Sequence, residues 1–366
     1  MKIKKFHLKD FPEDRIRVLF RDQMGFIDEN IRFFHSVKEF ADFLGIESKI
    51  IRHWKKQKLY IPLNHIKKII SKRKLSWGKI EKNVVAYKNP NSGLIVRKPI
   101  LPIIETPELF ALIAHLIADG SVNKNNIPSY TNTNFSLIKN FDKLIQSVFG
   151  NIENKIYKRQ SKAFQINSSR IIVDLIKSFY GITFNSLTAR IPRRLKQLPS
   201  EYSIAFIRAY SDDEAAVDLN HRITIYSNNK KILKDLRDIL SDKLDFKEVT
   251  KVLIKSKVNY YITIKPKEII KYNKIIGFNH PIKKERLQKL VRMRKTKVKS
   301  LPQNTKTRIL KLLNQNNLSS EDLTYKLGIR SRNVQINLKQ LEKKGIIRKI
   351  NKERQIPIWI KWRYKE

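Results

Sequence analysis

Cysteine is absent from all 366 residues. That excludes a disulfide framework, zinc–thiolate sites and thiol catalysis, and it fits an intracellular chain. No apolar segment follows the opening MKIKKFHLKD, so a secretory leader is not expected. The most apolar run, LFALIAHLIA (109–118), is ten residues long, about half the roughly 20 that a membrane span needs. A soluble, cytoplasmic protein with no membrane partner is the expectation. Acids are scarce too: 33 Asp and Glu stand against 77 Lys and Arg, for a net charge of +44. An excess of this size, spread along the chain, repels itself and calls for a polyanionic partner. Nucleic acid is the leading one, because each neutralised phosphate releases counterions, and a nucleoid-associated location follows.

Hydrophobic residues make up 41% of the chain, enough for real cores, and the length suits two or three domains. In residues 1–85, the stretch 35–69 has Val37, Phe40, Ala41 and Leu44 at helical spacing, Gly45 at a turn, then Ile50, Ile51 and Trp54 on a second helix. The other face of that second helix carries Lys49, Arg52, His53, Lys55 and Lys56. This pattern resembles the helix-turn-helix of Cro/repressor-like proteins, with Arg52 and Lys55 as candidate DNA contacts. Residues 86–104 hold Pro90, Gly93, Pro99 and Pro102 and read as a linker or extended arm. Residues 105–298 alternate helices and short strands in two rounds, an αββαββα unit in tandem. The run 283–299 has nine basic residues and one acid, a density suited to phosphate contact. Residues 299–366 read as a winged helix whose recognition helix carries Arg332, with an alternating wing at 346–362. The fold class expected is α+β.

The two rounds begin alike. TPELFALIAHLIADGSV (106–122) has Thr106 as N-cap, Pro107 at the first helical position and Glu108 at the positive helix end. Its apolar body should be buried, and Ala114 and Ala118 permit a close helix crossing. The helix is expected to run to Asp119, with Gly120 in the left-handed conformation after it. SEYSIAFIRAYSDDEAAV (200–217) repeats this plan with Ser200 as cap, Ala205 and Ala209 as small residues, and acids at the end. A carboxylate there faces the negative helix pole at a cost of about 0.3–1 kcal/mol, which a bound divalent cation would reverse. Asp119 and Glu214, 95 positions apart and each followed by two small residues and Val, are the candidate metal ligands. Hard oxygen donors favour Mg²⁺, or Mn²⁺.

LIAHLIADG resembles the LAGLIDADG motif of homing endonucleases, and IRAYSDDEA resembles its second, degenerate copy. YTNTNFSLIKNFDKLIQSVFG, IYSNNKKILKDL and IIGFNHPIKKERLQKLV are similar to the corresponding stretches of archaeal and intein-associated members. The resemblance covers roughly residues 100–295. It implies two motif helices packed at a pseudo-two-fold axis and a saddle of two antiparallel sheets over the DNA major groove. It also implies a monomer whose Asp119 and Glu214 meet over the minor groove and hydrolyse one strand each with divalent metal. Lys283, after the IGFNHP stretch, is the implied basic residue near the scissile phosphates. Asp213 departs from the family pattern, which has a small residue there; either it turns toward the metals or the helices cross more loosely. Asp212 matches a position that supports the fold.

Strand alternation selects the residues facing DNA. Ile223 and Ile225 point to the helices, leaving Arg222, Thr224 and Tyr226 outward. The same parity gives Lys155, Tyr157 and Arg159, Gln165 and Asn167, and Lys251, Lys255, Tyr261 and Thr263. His115 and His280 have no second His or Cys at ligand spacing and read as structural. The function expected is site-specific, metal-dependent cleavage of double-stranded DNA. A non-cleaving DNA-binding regulator with a degenerate core is the alternative, and an intron maturase acting on RNA is the other.

Overall fold

A computed structural model describes residues 2–90, 94–218, 222–256, 259–295, 305–329, 331–349 and 358–361. The N-terminal segment comprises β1 (Lys5–Phe6), β2 (Arg17–Phe20), α1 (Gln23–Phe33), α2 (Val37–Leu44), α3 (Ser48–Lys55), β3 (Ile61–Pro62), α4 (Leu63–Arg73), α5 (Trp77–Lys82) and β4 (Val84–Lys88). The Ser36 hydroxyl caps α2 by accepting from the Glu39 N–H, and Gly45 (φ 71°) ends it in the left-handed conformation that glycine adopts without strain. Phe40, Ala41, Leu44, Ile51 and Trp54 are buried, so α2 and α3 pack on their apolar faces and turn the basic face of α3 outward.

The stretch 86–104 is extended, but it is no free tether. After β4 come β5 (Ile95–Arg97) and β6 (Ile103–Ile104). One antiparallel sheet runs β3-β2-β4-β5 and then takes in β9 (Asn151–Ile152) from the following region, with Val96 opposite Ile152. The prolines and glycine mark the breaks, while the apolar residues between them, Tyr87, Val96 and Ile103, are fully buried. One hydrophobic core therefore extends from the N-terminal segment into the tandem region.

That region runs α6 (Pro107–Ile117), β7 (Gly120–Val122), β8 (Pro128–Asn132), α7 (Phe135–Phe149), β9, β10 (Lys155–Lys158), β11 (Phe164–Asn167) and α8 (Arg170–Tyr180). The second round is α9 (Ser200–Glu214), β12 (Ala215–Asp218), β13 (Arg222–Ser227), α10 (Lys230–Asp238), β14 (Leu253–Ser256), β15 (Asn259–Ile264) and α11 (Ile269–Ile275), followed by α12 (Pro281–Lys295). The sheets are ordered β7-β8-β11-β10 and β12-β13-β15-β14. Position for position this is the same antiparallel path, and in each the first strand leaves directly from a helix. Those helices, α6 and α9, pack on each other. Leu109, Phe110, Leu112, Ile113, Ala114 and Leu116 are wholly buried in α6, each large side chain contributing roughly 1.5–3 kcal/mol.

The C-terminal segment has α13 (Thr305–Gln315), β16 (Leu318–Ser319), α14 (Ser320–Leu327), α15 (Ser331–Lys343), β17 (Ile347–Lys349) and β18 (Ile358–Lys361), with the strands ordered β16-β18-β17. Its core is separate and includes Ile309, Leu323, Val334 and Leu338. Ser319 and Asp322 form a reciprocal capping box at α14. Arg286 of α12 meets Glu321 of α14 at 3.5 Å. Parts of the expected wing (350–357) and of the basic run (296–299) lie outside the described residues. Among the described residues, no helix is long and apolar enough to cross a membrane.

Candidate active site

Three expectations about the motif helices need correction. Thr106 caps α6 as expected, its hydroxyl accepting from the Leu109 N–H at 3.3 Å, but regular helix stops at Ile117. Asp119 lies beyond it, in the link to β7. Gly120 does not take a left-handed conformation. Glycine is needed there for space: an added Cβ would stand 2.5 Å from the Leu116 Cα and 2.7 Å from the Leu116 carbonyl oxygen. In α9 the cap position is Pro199 and Ser200 is the first helical residue, while the helix continues through Glu214.

The three consecutive acids at the end of α9 point to three different places. The Asp212 carboxylate, 1% exposed, accepts from the backbone N–H groups of Asn279 (2.8 Å) and His280 (2.9 Å). Those amides open α12, so Asp212 anchors the positive end of that helix. Burial raises its pKa to about 6 against the opposing effect of these hydrogen bonds.

Asp213 turns into the helix pair. Its carboxylate is 2.8 Å from Nδ1 of His115 on α6 and accepts from the Tyr130 hydroxyl at 2.6 Å. The Asp213 and His115 side chains have no solvent exposure. Burial alone would lower the His115 pKa, but the Asp213 carboxylate outweighs it and the net direction is upward. An acid is tolerated where the helices cross because the facing helix supplies a histidine. His115 is structural, as expected; its partner is not legible in the sequence, since nothing local links residues 98 positions apart.

Glu214 is partly exposed, and Asp119 stands exposed. Burial and then the charges of Asp119 and Asp213 raise Glu214 to about 7, opposed by Lys283. Asp119 rises to about 6, through the protein massed beneath it and then the Asp213 charge, opposed by Lys283, His115 and Asn132. Asn132 donates to the Asp119 carboxylate at 3.1 Å. A cleft of about 350 Å³ beside Asp119 is lined also by Asn132, Asp212, Asp213, His280 and Lys283; Glu214 is not part of its lining.

Lys283 is at the site, but its contacts differ from those expected of a phosphate ligand. Its Nζ donates to the carbonyls of Ser211 (3.1 Å), Asp212 (2.6 Å) and Asp213 (3.0 Å). Three ammonium protons meet three acceptors. The cation thus caps the negative end of α9 where the acids gather. Burial lowers its pKa despite the four carboxylates around it.

The outward faces of the two sheets follow the expected parity. On the first, Lys155 pairs with Asn167 and Tyr157 with Gln165, so these four share a face. Arg159, just past β10, donates to Gln165 at 2.6 Å. On the second, Thr224 lies opposite Thr263 and Tyr226 opposite Tyr261. Lys255 sits 4.6 Å from the Tyr226 ring centroid, and Lys251 is exposed just before β14. Thr224 and Thr263 are a correction: they are 5% and 7% exposed and lie 3.4 Å apart. As short side chains on central strands they sit below their taller neighbours and are not free to reach a groove. Arg222 is exposed but engages Asp218 at 3.2 Å. In the flanking segments Arg52 and Arg332 are exposed, whereas Lys55 is paired with Asp28 at 2.7 Å.

The donor set fits a hard divalent cation bound by few protein ligands. Two carboxylates with raised pKa gain from a cation that displaces their protons, and Mg²⁺ typically takes one or two carboxylates, the rest being water and substrate phosphate. Among the described residues no group of three or more His, Cys, Asp or Glu side chains is placed to hold a metal.

No protein-family model matches the chain, and no curated protein matches it. Among solved structures it is similar to the homing endonuclease I-DmoI in complex with DNA and Mn, with 18% identity, 46% of this chain and 96% of that chain covered, and a TM-score of 0.35. Mesophilic variants of I-DmoI give 19%, 50%, 97% and 0.37. Full-length DUF199/WhiA from Thermatoga maritima gives 13%, 65%, 90% and 0.36. These likenesses are weak and partial.

Proposed function

We propose that this protein is a site-specific, divalent-metal-dependent endonuclease of double-stranded DNA, acting as a monomer built on a LAGLIDADG-type core. What supports this is that the helices leading to Asp119 and Glu214 pack on each other, that the Asp119 charge acts on Glu214, and that the chain has a net charge of +44. Their neighbours leave them for a cation, because Asp212 and Asp213 are already bound elsewhere. Asp119 and Glu214 would hold Mg²⁺ or Mn²⁺, a cation that typically takes one or two carboxylates. The metal, when bound, activates water and screens charge in phosphodiester hydrolysis. Asn132 orients Asp119, while His115 and Tyr130 fix Asp213 and with it the approach of the helices. Lys283 is a positioning residue that holds the end of α9. Lys155, Tyr157, Arg159, Gln165 and Asn167 on one sheet, and Tyr226, Tyr261, Lys251, Lys255 and Arg222 on the other, contact DNA. Arg52 and Arg332 extend the contact through helix-turn-helix and winged-helix segments at either end.

The test is selection of cleaved ends from a randomised duplex library with Mg²⁺. The wild type should yield double-strand breaks at a recurring sequence and Asp119→Asn none. Enrichment of bound but uncut sites by both proteins would overturn cleavage and leave a DNA-binding regulator.

A further inference from the structure

The outward faces of the two sheets share a topology but not a chemistry. The first carries a mesh of hydrogen-bonding side chains, with the exposed ring of Tyr157 opposite Gln165. Gln165 donates to Asn167 at 2.7 Å and accepts from Arg159, and Ser121 and Ser129 are 2.7 Å apart on the same face. The middle of the second is apolar and aromatic. Tyr226 and Tyr261 have ring centroids 6.0 Å apart, and Leu253, opposite Tyr261, is 41% exposed. Lys255 lies over Tyr226, and the two threonines beside the tyrosines are buried against each other. The exposed leucine beside the aromatic rings offers an apolar surface to a ligand, and the lysine over the ring keeps a phosphate-seeking charge beside it.

In the major groove, amides pair with adenine and guanidinium with guanine, whereas apolar side chains touch only the 5-methyl of thymine. Resting on the DNA-binding reading above, we infer that the protein reads its site by two different means. The half under the first sheet is read through hydrogen bonds from Gln165, Asn167 and Arg159. The half under the second is read through thymine methyl groups against Leu253, Tyr226 and Tyr261. The specificity-determining contact of the second half is removal of a methyl from water, worth about fourfold in affinity per methyl from the burial of one CH₂-sized group.

Two binding selections on the full chain with Ca²⁺ test this. One uses randomised duplexes containing thymine, and the other uses duplexes with uracil in its place. The thymine pool should fix T at positions in one half; the uracil pool should lose that preference while the other half stays unchanged. Leu253→Ser, at an exposed position, should reproduce the uracil result in the thymine pool, and Gln165→Leu should relax only the opposite half. Coincident consensus sequences from the two pools, or an unchanged consensus with Leu253→Ser, would overturn the inference. Enrichment from neither pool would instead remove the DNA-binding reading, and this one with it.

Discussion

The ends of α6 and α9 occupy equivalent places in the two halves and are built differently. α6 stops at Ile117 and reaches Asp119 through a bend that only Gly120 fits; α9 runs on through Glu214. The position of Asp213 corresponds to Ala118, and that of His115 to Tyr210, so the buried pair exists once rather than twice. The registers that set Gly120 against Tyr130 and Ala215 against Ile225 put Ser227 where the first half has Asn132. The first half therefore supplies a braced carboxylate. The second supplies the acids that knit α9 to its neighbours, and Lys283 offsets their accumulation at the wrong helix pole. Equivalent topology has been kept while the polar bracing is divided between the halves.

The largest effect expected from breaking this division is at the buried pair. Replacing His115 by Phe strands Asp213 and should cost about 3–5 kcal/mol in denaturant unfolding. His115→Phe with Asp213→Ala should recover most of that loss, a coupling read from the double-mutant cycle with each single variant. Lys283→Met removes three charge-assisted hydrogen bonds and a helix-end cation and should cost roughly 2–3 kcal/mol. Gly120→Ala should cost about 1–3 kcal/mol by forcing Leu116 to move, whereas Ala215→Gly in the other half should change stability by no more than about 1 kcal/mol. Asn132→Ala should weaken Mn²⁺ affinity roughly 10–100-fold, as outer-shell partners do. The loss should be larger at pH 6.5 than at pH 8, because the hydrogen bond it deletes holds the Asp119 pKa down.

A separate effect is the pH dependence of the metal-free protein. Asp119 and Glu214 have folded-state pKa values of about 6 and about 7, above the ordinary 3.8 and 4.5. A carboxyl raised on folding favours the protonated native state, so its contribution is full below the unfolded pKa and is lost as pH rises through the folded one. The melting temperature should fall between about pH 4 and pH 7, and divalent metal at pH 7.5 should restore it. Asp119→Asn with Glu214→Gln should make the profile shallower, leaving the part that comes from Asp212, whose pKa is also raised to about 6.

What the sequence disclosed followed the reach of its signals. Periodicity and small-residue spacing located the paired helices, and strand alternation placed Lys155, Tyr157, Gln165 and Asn167 on one face. Register says nothing of depth, so Thr224 and Thr263 share the expected face but lie buried in it. In 86–104 the prolines mark the breaks, while the burial of Tyr87, Val96 and Ile103 between them comes from partners elsewhere in the chain and leaves no local pattern. The partners of Asp213 and Lys283 come from distant parts of the chain and leave no local pattern, which is why Asp213 looked out of place.

The division of labour at the site is tested most directly by Mn²⁺ binding, followed by electron paramagnetic resonance on the protein with a duplex from the cleavage selection. At pH 8 the wild type should bind Mn²⁺, and Asp119→Asn and Glu214→Gln should each lose it while still binding the duplex. Unchanged Mn²⁺ binding in both variants would contradict the assignment of these two carboxylates as the metal site.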